Sequence, residues 1–265
     1  MNRRTNKKLT PSRLVSFLDE RLPEDLRDPS RFEQWFEPWR RKAMVAAQEV
    51  FEAVNGKLAT ERERVRQREG LDRQVWRITG EDGRSLLKAV GSVRSKLGRE
   101  FWGQKLPDGR LSEEQVRAQL LKLPDLGRFR IVGDFSCDID YAKRVLLGKG
   151  SLLLGRYRVG SLKDYVHDFK LRRPEQGHRA FQFSVAVEVA SQPVFVEIQL
   201  MTALQDIWDR RNHPLYEWRR EGGESPVLLM VRDVALSEAL YLVDMQATQN
   251  WLDFLKARSR ERRRA

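Results

Sequence analysis

Glu197 is the residue of this chain whose surroundings point most directly to chemistry. It lies in the segment VFVEIQLMT, which alternates as a strand does, so that Glu197 and Gln199 share one face. Val194, Val196 and Ile198 fall on the other face. Burying an unpaired carboxylate costs several kcal/mol, so such a site must hold a cation, a metal ion or a proton to transfer. The alternative is an edge strand whose polar face is simply in water.

A predicted helix downstream of this strand carries Trp208, His213 and Tyr216 and brings aromatic and imidazole rings back towards the strand's end. Together, VEIQLMT and IWDRRNHPLYEW resemble the end of the RelA/SpoT nucleotide pyrophosphokinase domain. In that family a strand of the form EIQ-x-x-T precedes a helix that bears a tryptophan, then a Glu-His pair, then a tyrosine.

Three other segments resemble motifs of the same family, in the family's order, and the resemblance spans about residues 72 to 218. LLKAVGSVRSKLG resembles the ATP-phosphate motif, with Lys88, Ser92 and Lys96 at the spacing K-x-x-x-S-x-x-x-K. LPDLGRFRIVGDF resembles the strand with the magnesium-binding aspartate, which maps to Asp125, with Arg130 following it. SLKDYVHDFKLRRPEQGHRAFQF resembles the loop that binds the acceptor.

The resemblance implies a role for each of these residues in moving a diphosphate from ATP. Lys88 and Lys96 suit the triphosphate as point charges, and Ser92 can donate a hydrogen bond between them. Asp125 is expected to bind a magnesium ion that keeps several of its waters. Glu197 lies where the family has its second essential carboxylate, which either completes the metal site or takes the hydroxyl proton. Both roles for Glu197 stay open.

Further candidates are tied less closely to one step. Gln199 is grouped with the catalytic carboxylates, and Arg130 either neutralises ATP phosphate or forms a structural ion pair. His213 either contacts substrate phosphate or forms a hydrogen bond within its helix. The candidates for binding the acceptor lie in the loop and in the helix after Glu197. They are Lys163, Tyr165, Lys170, Arg172, Arg173, Gly177, His178 and His213.

The chain departs from the family pattern at two sites that would contact bases. Leu86 stands where the family usually has an arginine that stacks on adenine. His178 replaces the tyrosine that stacks on the acceptor base, and Ala180 and Gln182 replace the serine and histidine that follow. Imidazole can stack, but it is a poorer platform for guanine than a phenol ring. The loop before His178 is also longer than the family leads one to expect, so the acceptor is the least specified part of the function.

Composition agrees with a nucleotide enzyme of the cytoplasm. With 265 residues, 40% of them hydrophobic, the chain can bury a core as one domain with appendages. The single cysteine, Cys137, excludes a disulfide framework and a cysteine-rich zinc site. No stretch approaches the roughly 18 apolar residues of a membrane span, and no apolar run follows the basic first residues, so neither secretion nor membrane insertion is expected. A net charge of +12 favours a polyanionic partner.

The order of elements predicts an α+β fold in which a mixed β-sheet, of a nucleotidyltransferase-like synthetase domain, is flanked by helices from both termini. We expect an N-terminal helical segment over residues 1–70, the synthetase domain over 71–218 and a helical extension with a basic tail over 219–265. Thr10 is expected to start a short helix and Ser30 to cap a long one.

Turn signals refine this prediction. GEDG, between QVWRIT and SLLKAV, predicts a β-hairpin, and Ser112 is expected to cap a helix. From Pro226 the chain is predicted to form one long helix that ends in KARSRERRRA. This tail is either a disordered, solubilising end or an electrostatic contact for RNA phosphate.

Three functions follow. The first is an ATP-dependent pyrophosphokinase that moves the β,γ-diphosphate of ATP to the 3′-hydroxyl of GDP or GTP, with Mg2+, to make an alarmone. The second is a toxin that transfers the same group to the 3′ end of tRNA and stops translation, in which case an antitoxin would be a partner. The third is an inactive descendant that binds nucleotide or RNA. The two carboxylates among lysines argue against the third.

Overall fold

A computed structural model describes residues 10–79, 86–102, 104, 109–167, 178–220 and 227–263, apart from the side chains of residues 213–220 and 227–230. The chain begins with helices α1 (Pro11–Arg21), α2 (Glu24–Arg27) and α3 (Pro29–Glu69). The Thr10 hydroxyl accepts from the Arg13 amide and starts α1, as predicted. The long α3 is capped by Asp28, whose carboxylate accepts from two backbone amides, and not by Ser30 as predicted.

A mixed sheet follows, with the strand order β1-β2-β5-β4-β3. Its strands are β1 (Trp76–Thr79), β2 (Gly127–Gly133), β3 (Arg158–Asp164), β4 (Phe181–Val189) and β5 (Gln192–Thr202). The interposed and final helices are α4 (Val90–Phe101), α5 (Glu113–Leu120), α6 (Ser136–Leu147), α7 (Leu152–Arg156), α8 (Ala203–Arg220) and α9 (Val227–Arg262). β2 and β5 are parallel, and the other strand pairs are antiparallel. The predicted α+β fold with a mixed sheet is confirmed.

The two faces of the sheet differ in the helices that pack against them. One face carries the alternate apolar residues of every central strand and packs against α3 and α6 to form the main hydrophobic core. The close approach of α3 depends on small residues: a Cβ on Gly127 would lie 2.9 Å from that of Ala47. The opposite face is polar, and we call it the open face. α8 leaves β5 directly and lies against one end of the open face, where it also packs on α9.

Two other predictions need correction. The second arm of the predicted hairpin is not a strand: Leu87 forms a single bridge with Gly127 of β2, and α4 starts at Val90. Both β1 and Leu87 therefore lie along the same edge of β2, while the predicted turn falls outside the described residues. The basic tail is not disordered up to Arg262, because α9 continues to that residue and the Arg258 guanidinium donates to the Gly70 carbonyl. Along the described helices, none has the length and apolarity to cross a membrane.

The contact between α1 and α4 yields a test of the fold. A Cβ on Gly98 of α4 would lie 2.1 Å from the Leu14 carbonyl oxygen, whereas one on Gly91 of the same helix would meet nothing within 4 Å. Gly98→Ala should lower the free energy of unfolding by about 1–3 kcal/mol through overpacking. Gly91→Ala should leave it unchanged or raise it by up to about 1 kcal/mol. Urea unfolding of both variants checks this, and equal stabilities would contradict the packing.

Candidate active site

One row of polar side chains crosses the open face of the sheet. Strand register places its members opposite one another, from β1 at one edge to β3 at the other. The row consists of Thr79, Arg130, Gln199, Gln182 and Lys163. Because cross-strand partners point to the same side of a sheet, these side chains share the open face. The alternation of β2 and β5 therefore brings Arg130 and Gln199 together, although they are far apart in sequence.

Glu197 lies in the next row, opposite Arg128 of β2 and Ser184 of β4. β5 is the central strand, so the alternative that Glu197 belongs to an edge strand is wrong. The side chain is half-buried, and one carboxylate oxygen accepts from the Gln199 amide nitrogen at 2.8 Å. Across the described part of the chain, no ion pair involves Glu197. Its carboxylate is thus held by a neutral group, which leaves it available to a proton or a cation.

Asp125 lies in the turn just before β2, and two lysines bind it. Lys88 Nζ lies 2.5 Å from one carboxylate oxygen, and Lys96 Nζ lies 2.6 Å from the other. The Lys88 amide donates to the Leu126 carbonyl, which fixes this lysine beside the turn, while Lys96 comes from α4. Burial raises the pKa of Asp125, but the charges of both lysines outweigh it and hold that pKa below its usual value.

The other two positions of the predicted phosphate motif differ sharply in exposure. Ser92 is exposed in the first turn of α4, about one turn before Lys96 on the same helix. Leu86 is only 3% exposed and belongs to the main core. A side chain with that burial cannot reach a nucleotide, so the role of the family's arginine is absent from this position.

Arg130 is held along its edges. Its Nε donates to Gln199, one terminal nitrogen donates to Asp206 at 3.2 Å, and the other donates to Asp209 at 2.5 Å. Its ion-pair partners are therefore two aspartates of α8, Asp206 and Asp209. A guanidinium whose donors are taken in its own plane can still stack a ring on its flat face.

Asp206 connects three elements. Its side chain is 3% exposed and forms ion pairs with Arg77 of β1, Arg130 of β2 and Arg210 of its own helix, at 2.9, 3.2 and 3.0 Å. One buried carboxylate thus holds three guanidinium groups that would otherwise repel one another. The pairs also fix the start of α8 against the sheet, in the first turn, where a helix favours a negative charge.

These groups line a cleft of about 260 Å³ on the open face. Its lining carries four arginines against one aspartate, so the cleft favours anions. The lining residues are Arg77, Thr79, Arg128, Phe129, Arg130, Gln199, Asp206 and Arg210.

His178 joins the same network from the acceptor side. Its Nδ1 lies 3.0 Å from Asp209, its Nε2 lies 2.9 Å from the Gln182 amide, and its ring is edge-on to Tyr165 at 5.8 Å. Burial raises the pKa of Asp209, but the contacts with His178 and Arg130 outweigh it and bring that pKa to about 2. His178 is thus a hydrogen-bonded member of a network, held through both of its ring nitrogens.

The remaining acceptor candidates are only partly visible. Lys163 is exposed on β3, and Tyr165 follows that strand, with its amide bonded to the Ala180 carbonyl. Lys170, Arg172, Arg173 and Gly177 lie outside the described residues, as does the side chain of His213.

Sequence reasoning did not find Arg77, Asp206, Asp209 or Arg210. One signal was available, because Asp206 and Asp209 are three residues apart and must share a helical face. That both would turn towards Arg130 follows only from the packing of α8 on the sheet.

The predicted metal site depends on more than the protein's own carboxylates. Magnesium prefers oxygen ligands, which Asp125 and Glu197 can supply, but both oxygens of Asp125 are occupied by ammonium groups. Over the described residues there is no group of three histidine, cysteine or acidic side chains that could hold a metal ion. These residues fit a magnesium ion whose other ligands are phosphate oxygens and water.

The mixed α+β fold of this chain is similar to that of solved small alarmone synthetases and of a GTP pyrophosphokinase family protein. Small alarmone synthetase 1 from Bacillus subtilis, bound to its product pppGpp, is 21% identical, with a TM-score of 0.59 over 83% of this chain and 98% of that one. The same enzyme bound to AMPCPP is 18% identical, with a TM-score of 0.56 over 83% of this chain and 98% of that one. A GTP pyrophosphokinase family protein from Streptococcus pneumoniae is 18% identical, with a TM-score of 0.58 over 85% of this chain and 95% of that one. No protein-family model and no curated protein matches the sequence significantly.

The ion pairs of Asp209 predict a pH dependence of stability. Its pKa is lower in the folded protein than the usual 3.8, so its contribution is present above about pH 4 and is lost as the pH falls towards 2. Between pH 5 and pH 2, the wild type should lose about 1–2 kcal/mol more of its unfolding free energy than Asp209→Asn. Asp72→Asn, at a carboxylate 89% exposed, is the control and should follow the wild type. Parallel losses in all three proteins would contradict the network.

Proposed function

We propose that this protein is an ATP-dependent pyrophosphokinase that transfers the β,γ-diphosphate of ATP to the 3′-hydroxyl of a guanine nucleotide. The observation that carries the proposal is the order of groups along β2 and β5. The pair Lys88 and Lys96 lies at one end, Glu197 follows, and Arg130 lies beyond it on the same face. This order suits a nucleotide that lies along the strands.

This order of groups suits the donor nucleotide in one orientation, with its phosphates at the lysine pair and its base at Arg130. Lys88 and Lys96 suit its phosphates, and the flat face of Arg130 suits its base, because the edges of that guanidinium are already bonded. At about 3.3 Å per residue, the five residues from Asp125 to Arg130 span at most about 16 Å, comparable with an extended nucleoside triphosphate. The similarity in fold to a synthetase bound to AMPCPP supports an adenosine triphosphate as the donor.

The reaction needs an acceptor oxygen, a proton acceptor and charge neutralisation. The 3′-oxygen of the acceptor bonds to the β-phosphorus, the bond from that phosphorus to the α,β-bridging oxygen breaks, and AMP leaves with the negative charge. Glu197 suits the proton acceptor, because among the described residues it forms no ion pair, and Gln199 holds its orientation. Asp125 and phosphate oxygens would hold Mg2+, which supplies neutralisation of the developing charge when bound.

Removal of the charge of Glu197 tests this chemistry. Glu197→Gln should lower transfer from γ-labelled ATP to GDP or GTP by about 100-fold or more, because it removes the base at nearly constant volume. Glu188→Gln, at an exposed carboxylate on β4, is the matched control and should keep full activity. Transfer by Glu197→Gln at the wild-type rate would contradict the assignment. Nucleotide binding by the wild type without transfer to any acceptor would favour an inactive descendant.

Transfer to the 3′ end of tRNA is the second candidate. It is favoured by the net charge of +12 and by His178, whose ring is engaged edge-on and by hydrogen bonds where the family's stacking ring is expected. A mononucleotide needs only a local group of cations, whereas a polynucleotide uses charge spread over a surface.

Salt distinguishes the two acceptors. If tRNA is the acceptor, its affinity should fall steeply between about 50 and 200 mM salt, roughly by 10³-fold or more, because each phosphate contact releases counterions. Replacing Lys170, Arg172 and Arg173 with glutamine should then cripple labelling of deacylated tRNA and spare labelling of GDP.

An equal charge change on the other side of the sheet is the control. Arg40, Arg41 and Arg64 lie on α3, which covers the apolar face, and their replacement by glutamine should have little effect on either acceptor. Label on GDP alone, unchanged in the loop variant, would rule out the tRNA reaction.

A further inference from the structure

Asp125, the expected metal ligand, has no free oxygen in the nucleotide-free protein. One oxygen accepts from Lys88 and the other from Lys96, and the Asp125 side chain is 11% exposed. The two lysines are 14% and 21% exposed. A hydrated magnesium ion approaching Asp125 would have to displace ammonium groups that already occupy both acceptor positions.

Charge opposes that displacement. Two ammonium groups and one carboxylate leave this cluster with an excess positive charge, and Arg128 adds another from the start of β2. Like charges repel at this range, so the cluster disfavours a free divalent cation and attracts a polyanion. Lysine suits such an exchange, because its ammonium is a point charge on a flexible stem and can leave one anion for another.

We propose that a nucleoside triphosphate opens the metal site by drawing Lys88 and Lys96 away from Asp125, so that the metal binds only with or after the nucleotide. This inference rests on the proposed function, since it assigns the lysines to phosphate and Asp125 to the metal. In the nucleotide-free state the lysines close the site. When phosphate oxygens take up the lysines, Asp125 regains its oxygens, and the same phosphates complete the set of metal ligands that the protein lacks.

This arrangement differs from an ordinary structural ion pair in what the loss of its lysine would do. Lys57 and Lys96 each hold a carboxylate that is about nine-tenths or more buried, namely Glu61 and Asp125. Loss of Lys57 should affect stability alone. Loss of Lys96 should free an oxygen of Asp125 for a metal ion.

The proposal is tested by measuring the affinity of the nucleotide-free protein for Mn2+, which substitutes for Mg2+. Electron paramagnetic resonance detects the bound and free Mn2+. Wild type should bind Mn2+ weakly, and Lys96→Met or Lys88→Met should each bind it about tenfold more tightly or better, because one carboxylate oxygen becomes free. Adding Asp125→Asn to Lys96→Met should abolish the gain. Thermal unfolding shows whether each variant is folded. If Lys88→Met does not fold, Lys96→Met alone is enough for the test.

Removal of charge must be separated from release of the carboxylate. Arg128→Met removes one positive charge near the same cluster, yet among the described residues Arg128 makes no hydrogen bond or ion pair with Asp125. Lys57→Met removes a paired lysine elsewhere. Both variants should gain less than about twofold in Mn2+ affinity, since neither frees an oxygen of Asp125. An equal gain in Arg128→Met and Lys96→Met would overturn the proposal, as would wild type binding Mn2+ tightly through Asp125.

A second measurement keeps this inference apart from the proposed function. Binding of α,β-methylene ATP is followed in EDTA and in Mg2+. Binding in EDTA that is weakened by Lys88→Met, and that is not lost in Asp125→Asn, supports nucleotide first and metal second. Absence of nucleotide binding under both conditions would refute the proposed function. Binding that requires Mg2+ in the wild type would refute only the proposed order.

Discussion

The parallel pairing of β2 with β5 is the contact on which the candidate site depends. It sets Arg128 opposite Glu197 and Arg130 opposite Gln199, and a shift of one residue would turn every one of these side chains into the core. The register is fixed from the other side of the sheet, where α3 packs on Gly127 through Ala43 and Ala47. The apolar face therefore determines the order of the polar groups. Packing far from any ligand sets the spacing between the lysine pair and Arg130.

Charge sharing is the second feature that organises the open face. Asp125 forms ion pairs with two lysines, and Asp206 forms ion pairs with three arginines. Asp209 contacts Arg130 and His178. Asp125 and Asp206 are each surrounded by more positive charge than one carboxylate can offset, so the face remains attractive to phosphate. Glu197 differs, because its described partner is the neutral amide of Gln199. In the proposed reaction Glu197 accepts the proton, and in the proposed order of binding Asp125 is held until an anion competes for its lysines.

The sequence was informative where side chains follow backbone periodicity. The alternation around Glu197, the cap at Thr10 and the capped helix at Ser112 are confirmed, because each depends on a few neighbouring residues. The motif residues Lys88, Lys96 and Asp125 are brought together, whereas Ser92 stays exposed.

Where long-range contacts decide, the sequence was misleading. Leu87 pairs with β2, since the edge of β2 is open to it, so no hairpin strand forms there. The basic end of α9 is helical to Arg262, and there Arg258 donates to the Gly70 carbonyl at the end of α3, a partner nearly two hundred residues away in sequence. The role of Asp206 as a hub for three arginines likewise depends on how α8 packs against the sheet.

The most direct test of the account is a crystal structure of the protein with α,β-methylene ATP and Mg2+. The account predicts triphosphate at Lys88 and Lys96, the base against the flat face of Arg130, and a metal ion bound by Asp125 and phosphate oxygens. In that structure both lysines have left Asp125, while Asp206 and Asp209 still hold the edges of Arg130. Nucleotide bound elsewhere on the chain, or at this face with both lysine pairs to Asp125 intact, would contradict the account.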